Sequence, residues 1–180
     1  MSEIRLEITA GAGGPEAQAW AAMVLHMYIR WAARHGYQIK PGREIKRTDA
    51  GIQGAALTVE GDGVKRLLAE DGIHRLVRIS PFDAGARRHT SFVAVDVNET
   101  VQDHIVERPW HRSPSAFERG QVRSYVLTPY KIAKDLRTGI TREDVDSVLD
   151  GDIDDFLDGA EAAGLPHKPD PDAPAAATMD

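Results

Sequence analysis

The 180-residue chain contains no cysteine, which excludes disulfide bonds and thiolate metal sites. It has no apolar run of membrane-spanning length, and its first residues, MSEIRLEITAGAGG, lack the basic and apolar regions of a secretion signal. No internal repeat is present. These absences predict a cytoplasmic protein that does not enter a membrane.

The sequence also lacks the usual metal and nucleophile patterns. Its seven histidines form neither an HxxxH pair nor a cluster with carboxylates at ligand spacing. Ser113-Pro114-Ser115 is not set in a nucleophile elbow, and the acidic run at 150–155 lacks the distal glutamate of a calcium loop. We therefore predict no metal site, no cofactor and no catalytic residue.

Charge is divided unevenly along the chain. Residues 1–140 hold 20 Lys and Arg against 16 Asp and Glu, whereas residues 141–180 hold 2 against 12. The mildly basic body is compatible with RNA, while the acidic end would be repelled by it. Beyond Gly164 the run PHKPDPDAPAAATMD has too few large apolar residues to pack, which predicts disorder.

The first elements are a strand and a long helix. Residues 3–9 alternate as a strand, and a glycine-rich turn leads into a helix opened by Pro15 and Glu16. Gly36 is a candidate for the left-handed residue that ends this helix. The helix carries apolar residues at helical spacing, which we interpret as core: Trp20, Met23, Val24, Met27, Tyr28 and Trp31.

The remaining pattern favours an α+β fold in which a mostly antiparallel sheet packs against the long helix. Strands are predicted at 37–47 and 52–60, a short helix at 62–70, a hairpin at 72–98, and helices near 141–149 and 151–163. In the hairpin, two sets of apolar residues each share one strand face: Ile73, Val77 and Ile79, then Val93, Val95 and Val97.

The loop of this hairpin carries chemistry suited to nucleic acid. Pro81 fixes its own φ and holds Ser80 extended, so the Ser80 hydroxyl is expected to be presented and could donate or accept at a base edge. His89 offers a stacking ring and Thr90 a second hydroxyl. Arg87 and Arg88 supply charge for phosphates. Composition alone favours an ordinary hairpin loop with a solvated arginine pair and a core-packing Phe82.

The stretch GIHRLVRISPFDAGARRHTSF closely resembles the stop-codon-reading loop of bacterial class-I peptide chain release factors. Its SPF tripeptide is of the release factor 2 type, which reads UGA and UAA. The resemblance implies that Ser80, Pro81 and Phe82 form the specificity tripeptide. It also implies that His89 and Thr90 separate and contact the second and third bases. DAGARR resembles the family's DANGRR but lacks its asparagine.

Two further segments carry the same resemblance. GAGGPEAQAW looks like the family's helix entrance, where the first base meets the backbone; the matching positions are Gly13 and Glu16. RGQVRSYVLTPYKIAKDLRTG is similar to the segment that returns after the catalytic domain. The resemblance covers roughly residues 4–98 and 120–164, and it implies the codon-recognition superdomain of the release-factor fold.

The catalytic Gly-Gly-Gln motif of that family occurs nowhere in the sequence, and Gly120-Gln121 belongs to the returning segment. We likewise expect no counterpart of the family's helical N-terminal domain. We therefore expect a codon-recognition core at 1–98, a connector replacing the catalytic domain at 99–120, and a C-terminal block packing on the core at 121–164. A disordered acidic tail is expected at 165–180. The chain is predicted not to be an enzyme.

The resemblance implies a protein that binds the ribosomal decoding site, meeting the mRNA stop codon and rRNA, without hydrolysing peptidyl-tRNA itself. It would regulate, compete in or assist translation termination or ribosome rescue, with or without a partner that supplies hydrolysis. Two alternatives are a general RNA-binding module without codon specificity and an interaction or assembly protein using the acidic C-terminus. A third alternative is that the catalytic domain was deleted deliberately by engineering. The distinct connector and the unusual tail argue against this alternative.

Overall fold

The computed structural model describes residues 2–41, 43–102, 104–106 and 120–166. Within this part of the chain, ten strands form one sheet. They are β1 (Ser2–Ala10), β2 (Gln38–Ile39), β3 (Glu44–Arg47), β4 (Ile52–Gly61), β5 (Gly72–Ile79), β6 (Arg88–Val101), β7 (His104–Ile105), β8 (Gln121–Val126), β9 (Ile132–Asp135) and β10 (Thr141–Arg142).

The described residues also form three α-helices and one 3₁₀ helix: α1 (Pro15–Arg34), the 3₁₀ helix (Val64–Glu70), α2 (Val145–Leu149) and α3 (Asp154–Ala162). Helix α1 ends as its sequence predicts. Gly36 has φ +70°, and the N–H of Tyr37 turns back to the carbonyl of Ala32. The predicted apolar face of α1 is buried, except that Met23 is only half-buried.

The sheet has the order β10-β9-β8-β5-β6-β1-β4-β2, with β3 beside β4 and β7 beside β6. Among the described strands only the β5–β8 pairing is parallel, so the predicted α+β class with a mostly antiparallel sheet is confirmed. Helix α1 packs across β1, β4 and β6, and the core lies between this helix and the sheet.

The apolar alternation marks the core face correctly on β6 but not on β5. Val93, Val95 and Val97 are fully buried, as expected. On β5, Ile79 is 44% exposed, while Leu76 on the opposite face belongs to the core. Alternation shows which residues share a face, but it does not show which face a helix covers.

The segment after the predicted connector completes the sheet. Strand β8 pairs with β5, and the N–H of Leu127 donates to the carbonyl of Val77 (2.8 Å). Strand β6 extends to Val101, three residues beyond the predicted core boundary at 98. Residues 107–119 of the predicted connector and 167–180 of the predicted tail lie outside the described residues. The proposed division into segments therefore stays a prediction.

A buried ion pair joins β8 to the rest of the core. Arg123 and Glu70 are both 0% exposed, and the guanidinium donates to the two carboxylate oxygens at 2.8 and 2.6 Å. Tyr28 donates a further hydrogen bond to Glu70 (3.2 Å). Burial alone would raise the pKa of Glu70, but the charge and hydrogen bonds of Arg123 outweigh it and lower the pKa to about 2. The pair thus ties α1, the 3₁₀ helix and β8 together.

His74 lies beside this pair and is also fully buried. Its Nε2 is 2.9 Å from the carbonyl oxygen of Glu70, which can only accept, so Nε2 carries the proton. Its Nδ1 is 3.0 Å from the hydroxyl of Tyr125. Burial lowers the pKa of His74 to about 4, against an opposing effect of the Glu70 charge. The ring is therefore neutral in the folded protein at physiological pH.

This neutral histidine predicts a pH-dependent stability. Unfolded His74 takes up a proton near pH 6.5, whereas the folded ring does so only near pH 4, so its contribution is present above pH 6.5 and is lost as pH falls towards 4. Over this range the free energy of unfolding should fall by about 3 kcal/mol, the equivalent of the difference between the two pKa values. Urea unfolding of the parent and of His74→Gln should therefore show a stability difference that shrinks over this pH range.

His104→Gln is the matched control, because His104 is an exposed residue on β7. The free energy of unfolding of the His104→Gln variant should change with pH in the same way as that of the parent. A parent-to-His74→Gln difference that stays constant between pH 6.5 and 4 would contradict the buried neutral state.

Candidate nucleic-acid interface

The β5–β6 hairpin ends in a compact loop at 80–87. The N–H of Ser80 donates to the carbonyl of Arg87 (3.3 Å), and two turns inside the loop are closed by the N–H groups of Asp83 and Ala86 (3.3 and 3.0 Å). Ala86 has φ +49°, a left-handed conformation that is costly for a residue with a Cβ. The DAGARR turn therefore closes without the asparagine, with an alanine in the strained position.

The loop meets the entrance of α1. Ser80 Oγ donates to Glu16 Oε2 at 2.9 Å, although the two residues are 64 positions apart, and Oγ also accepts from the N–H of Phe82 (3.1 Å). The helix entrance is built on a glycine turn in which Gly13 and Gly14 have φ +128° and +61°. Two segments selected separately from the sequence thus come together in space.

Arg78 completes this contact and was not selected from the sequence. It is the penultimate residue of β5, and its guanidinium donates to Glu16 Oε1 (2.7 Å) and Oε2 (3.1 Å). Burial alone would raise the pKa of Glu16, but hydrogen bonds from Arg78 and Ser80 and the charge of Arg78 hold it below its usual value. Arg78 lies two residues before Ser80, so strand alternation places the two side chains on the same face. This spacing is the sequence signal by which Arg78 could have been found.

A second carboxylate organises the far side of the loop. Asp83 accepts from Arg87 Nε (2.9 Å) and the N–H of Gly85 (2.8 Å), and it lies 2.7 Å from His89 Nε2. Hydrogen bonds from Arg87, His89 and Gly85 lower the pKa of Asp83. Because an ionised carboxylate only accepts, His89 donates through Nε2. His89 and Arg87 are therefore engaged by the loop itself in the free chain.

The Ser80 hydroxyl is not presented at the surface, as the sequence predicts, but is buried. Ser80 is only 3% exposed, because Glu16 draws the hydroxyl inwards beneath the loop. Phe82, by contrast, is 49% exposed, so the alternative of a core-packing phenylalanine is wrong. The other predicted contact residues that lie on the surface are Gly13, Pro81, Arg87, Arg88 and Thr90, with His89 half-buried.

Strand geometry separates two of the predicted base-contacting residues. Arg78 is paired with His89 and Val77 with Thr90, so successive side chains of β6 point to opposite faces of the sheet. His89 therefore lies on the Arg78 side and Thr90 on the other. The structure brings Glu16, Arg78 and Ser80 together, and Asp83, Arg87 and His89 together, but it does not place Thr90 in either group.

The C-terminal segment supports the base of the loop. Thr128 Oγ1 accepts from the N–H of Ile79, the last residue of β5 (3.4 Å). Tyr130, two residues further, is 63% exposed. The described residues contain no group of three or more side chains that could hold a metal ion, and none of their helices is long and apolar enough to span a membrane.

Comparison with known proteins identifies the family. The PCRF domain matches residues 1–95. Peptide chain release factor 2 of Paramagnetospirillum magneticum is 33% identical over 235 residues, covering 88% of this chain and 63% of the relative. Peptide chain release factor 2 of a Sulfurovum species is 32% identical over 234 residues, covering 86% of this chain and 63% of the relative.

The solved structure of release factor 2 of Thermus thermophilus is 31% identical and superposes with a TM-score of 0.76, covering 91% of this chain and 69% of that one. The chain spans less than two thirds of the length of the curated relatives described above. It belongs to the PCRF-domain family and is a release factor 2-like protein.

Proposed function

We propose that this protein binds the ribosomal decoding site and recognises UGA and UAA through its SPF loop, without hydrolysing peptidyl-tRNA itself. The observation that carries the proposal is the contact between Ser80 and Glu16 (2.9 Å), which joins the two segments that resemble the codon-reading elements of release factors. The protein would act as a regulator, competitor or accessory factor in termination or ribosome rescue.

The surface of the loop supports this proposal. The side chain of Arg87 is 78% exposed and could exchange its contact with Asp83 for a phosphate, because both partners offer anionic oxygens. Phe82, in the same loop, adds a half-exposed ring, which suits stacking on an unpaired base. Glu16 and Arg78 hold the loop against α1, so little ordering remains to be done when RNA binds.

The length of the alignment supports the absence of a catalytic domain. The match to the Paramagnetospirillum relative extends over 235 aligned positions, whereas this chain has 180 residues. Part of the relative therefore has no counterpart here. The sequence also lacks a Gly-Gly-Gln motif.

Codon reading predicts specific losses of affinity. Ser80→Ala and Thr90→Val should each weaken binding to ribosomes displaying UGA or UAA by about 1–3 kcal/mol, because each removes a hydrogen bond to a base edge. His89→Ala should cost a similar stacking increment of about 1–3 kcal/mol. The measurement is equilibrium binding of labelled protein to ribosomes programmed with UGA, UAA or a sense codon.

The sense-codon complex is the control, and its affinity should hardly change in these variants. If the parent binds stop and sense complexes equally, the codon-reading proposal is wrong. A general RNA-binding module is then favoured if that binding falls steeply with salt. Binding that does not depend on salt would favour the interaction protein instead.

A further inference from the structure

Thr90 lies on a side of the sheet that no described helix covers. Its strand partner is Val77, and the next outward pair is Ile79 with Arg88, so these side chains share one face. The buried residues of α1, α2, α3 and the 3₁₀ helix belong to a single core on the opposite face, which holds Leu76. Among the described residues, no helix therefore packs on the face that carries Thr90.

The strand pairing joins the outward side chains of four strands into one surface. Val77 of β5 lies between Thr90 of β6 and Val126 of β8, and Val126 lies beside Ile132 of β9. The charged members of this surface are exposed, and its other side chains are exposed or half-buried. We call this surface the outer patch, and its members are Val77, Ile79, Arg88, Thr90, Phe92, Val126, Ile132 and Lys134.

The outer patch has cations but no carboxylate. Arg88 and Lys134 are its charged members, and Arg75 borders it, where its guanidinium donates to Ser124 Oγ at 3.2 and 3.1 Å. Farther along the same face, β1 and β4 carry three carboxylates: Glu3, Glu7 and Glu60. An anionic partner is therefore favoured at the outer patch over the neighbouring part of the face, where carboxylates stand beside the cations.

Phe92 gives the outer patch a ring for stacking. It lies two residues beyond Thr90 on β6 and beside Arg75 of β5. The patch measures about 14 Å from Arg88 to Phe92 and about 14 Å from β6 to β9, by the ordinary spacing of residues and strands. RNA recognition modules stack two or three unpaired bases on aromatic side chains of a sheet face. The row of valine and isoleucine would exclude water beneath such bases, while Arg88 and Lys134 meet phosphates.

The outer patch is continuous with the candidate interface. Arg88 and Thr90 belong to both, because they lie at the start of β6, directly after the loop at 80–87. RNA held by the loop would therefore lie within about 20 Å of every part of the patch. This continuity favours RNA over an acidic protein as the occupant.

We propose that the outer patch binds ribosomal RNA, with an unpaired base on Phe92 and phosphates at Arg88 and Lys134. This inference rests on the proposed binding to the ribosome. It adds a codon-independent surface to the codon-reading loop, because the ribosomal RNA is the same whichever codon occupies the decoding site.

Phe92→Leu and Lys134→Gln test the two kinds of contact. Phe92→Leu removes the ring and should weaken binding to programmed ribosomes roughly tenfold, the effect of one lost stacking contact. Lys134→Gln removes one phosphate contact, so the slope of log affinity against log salt concentration should become shallower by about one. Both effects should be equal on ribosomes programmed with UGA, UAA or a sense codon, whereas Ser80→Ala is expected to act on the stop codons alone.

Lys46→Gln is the matched control. Lys46 is an exposed lysine of β3 on the same face of the sheet, but it lies two residues from Glu44 and outside the outer patch. Its replacement should leave both the affinity and the salt slope unchanged. Because Lys134 is also exposed, Lys134→Gln keeps the fold and reports on the patch even if Phe92→Leu lowers stability.

A photoreactive ring at position 92 identifies the class of partner. Phe92→p-benzoylphenylalanine keeps the aromatic ring, and irradiation of this variant on UGA-programmed ribosomes should crosslink it to ribosomal RNA. The crosslinked partner should be digested by ribonuclease. Lys46→p-benzoylphenylalanine is the control and should give little crosslinked RNA.

Each outcome has one meaning. Codon-independent losses in Phe92→Leu and Lys134→Gln, with an RNA crosslink at position 92, support the inference. Parent-like binding of both variants, or a crosslink to a ribosomal protein, overturns it, and codon reading by the loop stands if stop and sense complexes are still distinguished. Absence of any ribosome binding by the parent overturns the proposed function itself, and this inference with it.

Discussion

Replacing Arg123 by methionine is expected to lower the free energy of unfolding by about 3–5 kcal/mol, because the change leaves the buried charge of Glu70 without its partner. The guanidinium also lies 4.2 Å from the ring centroid of Phe156 in α3, so the change removes a cation–π contact as well. Urea unfolding followed by circular dichroism would measure the loss.

The exposed pair Lys131–Asp146 is the matched control, with side chains 52% and 78% exposed. Lys131→Met should change stability by no more than about 1 kcal/mol, since solvent screens such pairs. Combining Arg123→Met with Glu70→Gln should recover part of the loss, because no unpaired charge then stays buried. If Arg123→Met and Lys131→Met lower the free energy of unfolding equally, the buried ion pair does not stabilise the packing of β8 against the core.

The pairing of Arg123 with Glu70 illustrates what the sequence does not reveal. The two residues are 53 positions apart, and they meet because β8 pairs with β5, the strand that directly follows the 3₁₀ helix ending at Glu70. Local periodicity carries no information about strand order. Arg123 shares a strand face with Tyr125, and this charged residue was the available signal, since arginine is almost never fully buried without a partner.

Local patterns were sufficient where local physics decides the structure. The apolar spacing of α1 predicts its buried face, and Gly36 predicts where it ends, because both depend on neighbouring residues. The candidate interface could be predicted only in part from the sequence. The resemblance selected Glu16 and Ser80 separately, but their direct contact depends on how α1 crosses the sheet. For the same reason Arg78 was missed.

The length of the predicted connector bears on the proposal that this chain does not hydrolyse peptidyl-tRNA. Val106 donates its N–H to the carbonyl of Glu99, and Gly120 accepts from the N–H of Ile73, so the residues on either side of 107–119 are bonded to the sheet. Fully extended, that stretch measures at most about 50 Å, and because it must return, it projects no more than about 25 Å. It is also much shorter than the smallest independently folding domains, which need about 40 residues.

Peptide release requires a water to be positioned and developing charge to be stabilised at the peptidyl ester, to within about an ångström. In the release-factor family this work belongs to the Gly-Gly-Gln loop, which reaches the peptidyl-transferase centre from the decoding site on a domain of its own. We propose that a short connector without that motif does not place such a group there. We therefore expect no peptide release by the purified protein on UGA-programmed ribosomes, at concentrations where an intact release factor 2 completes the reaction.

Competition provides the complementary measurement. If the proposed function is correct, both proteins occupy one decoding site. An added excess of this protein should then slow release by intact release factor 2 on UGA ribosomes. The inhibition should be relieved by more release factor and weakened by Ser80→Ala. Lys131→Met should inhibit like the parent, because Lys131 pairs with Asp146 and not with a residue of the loop. Codon-dependent release by this chain alone, in a preparation free of other release factors, would refute the proposal. Release that appears only with a second purified protein would show that a partner supplies the hydrolytic group.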